Sequence, residues 1–282
     1  MPAPFTTLGS LTFQTYTLLV GVGVVTSAAL IMWQLRTVEK PGVVMDCLLA
    51  GLIMGLLLAR VGHVALHWDT FRHHPAEIGQ LRAGGLDWHG AVVGGLIGSA
   101  MAARLRRVHF PTLLRALAPV LPLLTFFGWW GCGAARCAYG AEVDNLAYYP
   151  AWLVWEGPDL YNLFVPRYRL QALGMGLAIM LFALWVLMRV LKRRQSQSDV
   201  EFWLLLMLMA VGMFLLGFLR GDIVPIIRRL RADQWLDAAI FCLGLAGVLH
   251  RAFRPQTFGG FRHKPGNTSP GRIVSPEDKT LR

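Results

Sequence analysis

Long apolar blocks without charged side chains are the feature that most constrains the fold of this sequence. The first block, 15–34, contains no Asp, Glu, Lys or Arg. The hydrocarbon core of a bilayer is about 30 Å thick, and a helix that rises about 1.5 Å per residue crosses it in about 20 residues. Further mainly apolar blocks are 47–66, which Arg60 breaks, and 89–103, 116–135, 170–188, 202–219 and 235–250. We therefore predict an all-α integral membrane protein with about seven transmembrane helices.

The charged residues support a membrane location and argue against nucleic acid as a partner. Only 15% of the residues are charged, whereas soluble domains carry about 25%. A net charge of +11 would suit phosphate binding, but the Lys and Arg residues stand between the apolar blocks and near the C-terminus. We therefore predict membrane lipid as a partner and no nucleic acid.

The placement of the basic residues predicts an orientation. Cytoplasmic loops are enriched in Lys and Arg, and these residues are concentrated in alternate connections at 36–40, 104–107 and 189–194 and after residue 250. We expect the N-terminus outside and the C-terminus in the cytoplasm. Residues 1–252 are predicted to form one membrane domain, and 253–282 a basic, disordered cytoplasmic tail.

The four cysteines predict neither a metal site nor a cofactor. Cys47 and Cys242 lie in apolar blocks, where a thiol is usually a small buried apolar group. Cys132 and Cys137 do not have the usual spacing of a zinc pair, and no second pair completes four ligands. Pairing of these two residues through a metal or a disulfide is disfavoured.

Arg60 is a charged residue inside the second apolar block, with His63 and His67 on the following turns. Residues at these spacings share one helix face, so a basic stripe is predicted there. Because ionisable groups at membrane depth are costly, the stripe is a functional hypothesis. The alternative is that these side chains extend to the outer headgroups.

His89 opens the third apolar block, in a segment with unusually many glycines. It follows Gly84-Gly85-Leu86-Asp87-Trp88 and precedes Gly90, Gly94, Gly95 and Gly98. Each glycine weakens a helix by about 1 kcal/mol relative to Ala, so close approach of a backbone or a ligand is predicted. His89 is a functional candidate; the alternative is a capping histidine at the interface.

Arg220 ends the sixth apolar block and is followed by Gly221 and Asp222. A guanidinium there is able to clamp a lipid phosphate with two parallel hydrogen bonds. Arg228, Arg229 and Arg231 extend the positive charge on the predicted outer face, which an anionic ligand would explain. The alternative is a helix-end arginine paired with Asp222.

Several of these segments, taken in order between about residues 9 and 250, resemble the prolipoprotein diacylglyceryl transferases. The opening of the first helix, residues 9–16, is similar to the family's entry to that helix, and residues 59–64 read Ala-Arg-Val-Gly-His-Val. The most specific element is Gly-Gly-Leu-Asp-Trp-His-Gly at 84–90. Phe218-Leu219-Arg220 with Gln234 downstream resembles a late Arg and Gln pair of the family.

The resemblance implies an enzyme that transfers diacylglycerol from phosphatidylglycerol to the lipobox cysteine of preprolipoproteins, forming a thioether. Phosphatidylglycerol and preprolipoprotein signal peptides would be its partners, and the bacterial inner membrane its location. His89 would be the base for the substrate thiol, with Arg220 as a second catalytic residue on the phosphate side. The implied substrate-binding residues are Arg60, His63, Gly90, Arg136, Tyr139, Gln171 and Gln234.

The fourth helix departs from the family pattern. Trp129 stands where the family carries Arg, and Cys132 stands at its Asn. Arg136, about two helical turns further on, is predicted to replace the lost charge. The alternative is a divergent homologue that binds anionic lipid or modifies another acceptor. A transporter is the third possibility, which the absence of paired acids within the predicted helices disfavours.

Overall fold

The computed structural model describes residues 5–8, 11–80, 84–159, 161–191 and 199–253. Its helices are α1 (Thr15–Leu35), α2 (Pro41–Leu66), the single-turn α3 (Trp68–Phe71), α4 (Trp88–Arg106), α5 (Phe110–Leu117), α6 (Val120–Ala135), α7 (Leu170–Leu191), α8 (Val200–Gly217) and α9 (Ala232–Phe253). Part of a predicted cytoplasmic loop (192–198), the predicted tail from 254 onwards and residues 9–10 of the opening motif lie outside the described residues.

Short antiparallel hairpins precede or connect some of these helices. Their strands are β1 (Phe5–Leu8) with β2 (Leu11–Gln14), β3 (Val154–Pro158) with β4 (Phe164–Tyr168), and β5 (Ile226–Ile227) with β6 (Leu230–Arg231). The first precedes α1, the second precedes α7 and the third connects α8 to α9. These short hairpins qualify the all-α prediction, although the chain is mainly helical.

Six of the described helical segments are long and apolar enough to span a membrane, and α5 and α6 count together as one span, Phe110–Ala135. Buried residues make up only 17% to 39% of their most apolar windows, so most of this apolar surface faces outward, where lipid is its natural solvent. The protein is therefore a multi-pass membrane protein. About seven spans were predicted; α4, the seventh long helix, does not meet the same criterion because two Arg residues and several glycines make it less apolar.

The glycines of α4 bring its backbone against α2. A Cβ atom on Gly90, Gly94 or Gly98 would collide with the main chain of α2 at residues 58, 54 and 50. The glycines are four residues apart, so they form one face of α4. This confirms the predicted close backbone approach, and it shows that Gly90 packs helix against helix.

One end of the bundle gathers the helix ends that the sequence assigns to the cytoplasm. Its ion pairs join neighbouring helices and are Arg106–Asp46, Arg189–Glu201 at 3.0 Å and Arg251–Asp199 at 2.7 Å. Asp199 and Glu201 are each 2% exposed, so the pairs that these two acids form are part of the packing, whereas Arg106–Asp46 is more exposed. The opposite end carries the described segments 67–80, 84–88, 136–159, 161–169 and 218–231.

Candidate active site at the junction of α4, α8 and α9

His89 lies between two carboxylates at the end of the bundle opposite those ion pairs. Its Nδ1 is 2.8 Å from Asp87 Oδ1, and its Nε2 is 2.9 Å from Asp237 Oδ1. All three side chains are buried, with His89 4% and Asp237 3% exposed. Both ring nitrogens of His89 are thus engaged, each with an acid.

Local structure fixes both acids. Asp87 is the N-cap of α4, and its Oδ2 accepts a hydrogen bond of 2.8 Å from the backbone N–H of Gly90. This satisfies one of the free donors at the start of a helix and leaves Oδ1 for the His89 ring. Asp237 lies one turn into α9, after Asp233, so that the two acids lie on the same side of the helix.

Arg220 follows α8 and pairs with two acids. Its Nε donates to Asp222 Oδ1 at 2.8 Å, and its Nη1 lies 3.2 Å from Asp233 Oδ2. Burial by itself raises the pKa of Asp222, but the hydrogen bond from Arg220 and the charges of Arg220 and Arg231 lower the pKa below its usual value. The predicted alternative, pairing with Asp222, is therefore observed.

Arg231, at the end of the β5–β6 hairpin, completes this group of charges. Its guanidinium contacts the carboxylates of Asp222 at 3.2 Å and Asp233 at 3.1 Å. Arg228 and Arg229 instead occupy the exposed turn of the hairpin, with left-handed backbones at φ 50° and 70°. Of the three basic residues predicted together, only Arg231 therefore reaches the buried network.

Gln234 holds the start of α9 in place from within. It is 1% exposed; its Oε1 accepts from the backbone N–H of Arg231 at 3.0 Å, and its Nε2 donates to the Phe214 carbonyl at 3.0 Å. Gly217 makes room for this side chain, since a Cβ there would touch it. Gln234 thus ties the end of α8 to the start of α9.

The segment after α6 pairs with the Arg220 backbone. Gly140 and Arg220 form an antiparallel bridge, and the N–H of Gly221 donates to the Tyr139 carbonyl at 2.9 Å. Arg167 supports this segment from behind, donating to the Gly140 carbonyl at 3.2 Å, with its guanidinium 5.1 Å from the centre of the Tyr139 ring. Burial and then the charge of Asp222 raise the pKa of Tyr139. Tyr139 is therefore a neighbour of the charged cluster, and its role in substrate binding stays a prediction.

Arg60 and His63 face a different partner. The Arg60 guanidinium donates to the carbonyls of Glu77, Ile78, Gly84 and Gly85, at 2.6 to 3.1 Å. His63 stacks on His67, with ring centres 4.3 Å apart, and lies against Gly85. The basic stripe exists, but the Arg60 guanidinium binds four main-chain oxygens of the loop that leads to His89.

Arg136 and Trp129 do not behave as the sequence interpretation predicts. α6 ends at Ala135 and Arg136 adopts a left-handed backbone at φ 57°, so helical spacing does not carry its side chain to the face of Trp129. The prediction that Arg136 replaces the lost charge by that route is wrong. Trp129 is itself 7% exposed and packs on Gly174 of α7. An apolar contact between α6 and α7 therefore stands where the family carries Arg.

Cys132 and Cys137 form a disulfide in the structure, which corrects the prediction that disfavoured their pairing. Arg136, with its left-handed backbone, turns the chain back after α6 and brings the two Cα atoms to 4.7 Å. The spacing of the cysteines along the sequence does not reveal this turn. Gln171 supports the same turn, donating from Nε2 to the Cys137 carbonyl at 3.1 Å. Gln171 thus supports the turn that leads into the segment paired with Arg220.

The acids of the site were not predicted from the sequence. Asp233 and Asp237 lie one turn apart in α9, so the predicted absence of paired acids within helices is wrong. Asp237 falls inside the apolar block 235–250, where the cost of a buried charge would have marked it. Asp87 stands directly before the helix that carries His89, so the preference for Asp at an N-cap would have pointed to it. Nothing local marks Arg167 as buried.

Several known proteins are similar to this chain along most of its length. A family model described as prolipoprotein diacylglyceryl transferase matches residues 2–250. A phosphatidylglycerol–prolipoprotein diacylglyceryl transferase of Symbiobacterium thermophilum is 31% identical over 212 residues, which cover 73% of this chain and 75% of the relative. Proteins of the same name from Lysinibacillus sphaericus and Shouchella clausii are 23% and 25% identical, and cover 88% and 73% of this chain and 91% and 74% of their own lengths.

Proposed function

The chain belongs to the prolipoprotein diacylglyceryl transferase family, and from this premise we propose that it transfers diacylglycerol from phosphatidylglycerol to the lipobox cysteine of preprolipoproteins. The products are a thioether-linked lipoprotein precursor and glycerol phosphate. The attacking sulfur belongs to the substrate, so the protein supplies proton transfer and charge for the departing phosphate. The substrate's signal peptide and its lipid donor meet at the end of the bundle that carries His89.

The observation that carries this proposal is that His89 and Arg220 are each held by an acid of α9 and that these two acids lie one helical turn apart. Asp237 bonds His89, and Asp233, one turn before it on α9, pairs with Arg220. A titratable ring and a guanidinium are thereby held by the same helix, at the end of the bundle where Tyr139 and Gln234 also lie. Because Arg220 already pairs with Asp222, we propose that a donor phosphate displaces that carboxylate from the guanidinium fork.

We propose that this site faces the outside of the bacterial inner membrane and that the ion-paired end faces the cytoplasm. Two independent features support this. The basic helix ends satisfy the rule that Lys and Arg concentrate in cytoplasmic loops, and the Cys132–Cys137 disulfide lies at the other end, where an oxidising compartment favours it. Residues 1–252 then form one membrane domain, with 253–282 as a cytoplasmic tail.

The decisive experiment is complementation of a strain depleted of its own transferase, with mass spectrometry of a lipobox peptide. We expect growth and thioether-linked diacylglycerol with the wild-type chain, and neither with His89→Ala at matched amounts of folded protein. Growth without the thioether, or an unmodified peptide beside well-folded protein, would contradict the proposal.

A second function is favoured by one observation, the buried Trp129 at the position where the family carries Arg. A divergent homologue that binds anionic lipid without transferring it would retain phosphatidylglycerol in detergent and lose it on Arg220→Ala. It would leave the lipobox peptide unmodified, so the mass-spectrometric experiment separates the two functions.

A further inference from the structure

The two acids that flank His89 determine what this ring is able to do. An imidazole in its neutral form donates from one nitrogen and accepts at the other, whereas the imidazolium donates from both. Here both nitrogens point at carboxylate oxygens, at 2.8 and 2.9 Å. Ionised carboxylates only accept hydrogen bonds, so the arrangement is complementary to the charged ring. A ring with two bound protons has no lone pair with which to remove a proton from a thiol.

We propose that Asp237 and Asp87 hold His89 as an imidazolium, and that His89 acts as the acid that protonates the departing phosphate oxygen. The inference rests on the proposed transferase function and reverses the role of base that the family resemblance suggests. Asp87 and Asp237 are positioning residues in this scheme, and His89 is the catalytic one.

The lipobox thiol loses its proton to water; its usual pKa of about 8.5 makes the thiolate accessible near neutral pH. The sulfur bonds to the glycerol carbon, and the bond between that carbon and the phosphate oxygen breaks. The phosphate oxygen takes the proton from His89 Nε2, whose hydrogen bond to Asp237 gives way to the substrate. Water then returns a proton to the ring.

Other charges around the ring do not replace the two acids. The charge of Arg220 acts on Asp237, but Arg220 is itself paired with Asp222 and Asp233. On the other side of the ring, His63 of α2 faces Asp87. Asp237 is therefore the acid whose removal exposes Nε2 while leaving the N-cap of α4 intact. This makes Asp237→Asn the informative substitution.

The pH dependence of transfer distinguishes an acid from a base. If His89 is the acid, kcat falls on the alkaline side as the ring loses its proton, and Asp237→Asn moves that alkaline limb to lower pH by about one unit or more, because an attractive charge has been removed. At pH 8 the variant should lose about tenfold or more of kcat, with little change in the KM for phosphatidylglycerol. Asp237→Glu restores the charge and should recover part of the loss.

A control variant and a spectroscopic measurement test the charge state of His89 independently of the proposed transferase function. Asp46→Asn removes an acid from the partly exposed Arg106 pair at the far end and should leave the profile unchanged. Nitrogen-15 NMR of histidine-labelled protein at pH 8, assigned with His89→Gln, should show both ring nitrogens protonated in the wild type. A neutral ring, or a wild-type profile whose acid limb moves in Asp237→Asn, overturns the inference while the transferase stands; absence of product from wild-type protein overturns the function.

Discussion

The guanidinium of Arg220, just beyond α8, lies 3.2 Å from a carboxylate oxygen of Asp233 in the first turn of α9. The same guanidinium bonds Asp222, so one cation pairs with two acids across the β5–β6 hairpin, and Arg231 supplies the second positive charge. Removing it leaves both carboxylates in a partly buried site beside Arg231 alone. Arg220 is therefore expected to serve both the fold of this junction and any anionic ligand that it binds.

Substitution of Arg220 should affect transfer and stability together. Arg220→Ala should cost about 2 kcal/mol or more of stability and at least about tenfold in transfer, because charge-assisted bonds in a partly desolvated site are lost. Arg220→Lys keeps the charge but loses the planar fork, so its effect should be smaller and still measurable. Thermal unfolding and transfer at matched expression test this. Arg106→Ala, which breaks a more exposed pair, is the control; equal values for all variants would remove Arg220 from the site.

Arg60 should be required for the loop that leads into His89. Lys has no fork with which to reach the carbonyls at 77, 78, 84 and 85, so Arg60→Lys should loosen this loop and reduce transfer by about tenfold, even though the charge is kept. Limited proteolysis between residues 72 and 88, followed by mass spectrometry, should show faster cleavage. Arg72→Lys is the matched control, since Arg72 is half exposed and its ion pair among the described residues is with the exposed Asp69. Unchanged cleavage in Arg60→Lys would assign the arginine to a ligand instead.

The Cys132–Cys137 disulfide should form in cells. Alkylation of membranes without reductant, followed by mass spectrometry, should label Cys47 and Cys242 in denatured protein and leave the pair linked. Cys132→Ser with Cys137→Ser should lower stability by about 2 kcal/mol, because a short closed loop gains conformational freedom when unfolded. Full alkylation of all four thiols in protein from oxidising conditions would contradict this prediction.

The orientation is open to a direct test. A reporter fused after Arg282 should be active only in the cytoplasm, and single cysteines introduced at exposed positions between 68 and 80 should react with an impermeant reagent from outside. The wild-type cysteines must first be replaced by serine, and a cysteine at exposed Arg104, on the opposite end, is the control. Labelling of Arg104→Cys instead of the outer positions would invert the proposed topology.

Sequence patterns predicted the membrane helices well because burial in lipid requires long apolar runs with satisfied backbone groups. The block 15–34 became α1, and the glycines after His89 became the face of α4 that contacts α2. Family membership was likewise predicted from short motifs, above all Gly84 to Gly90, and the comparisons confirm it. His89 and Arg220 were likewise chosen as candidates from the cost of an ionisable group at membrane depth; their role in a site stays a prediction.

The sequence by itself determined that the chain crosses a membrane, roughly where its helices lie and which family it belongs to, since these depend on local composition and short motifs. Only the tertiary structure decided which groups bond to one another. Asp237 reaches His89 from 148 residues away, and Arg60 turns from a presumed ligand contact into the support of a loop. The hydrogen bonds of a buried ion depend on distance and direction in space, and no spacing along the chain specifies those for residues on different helices.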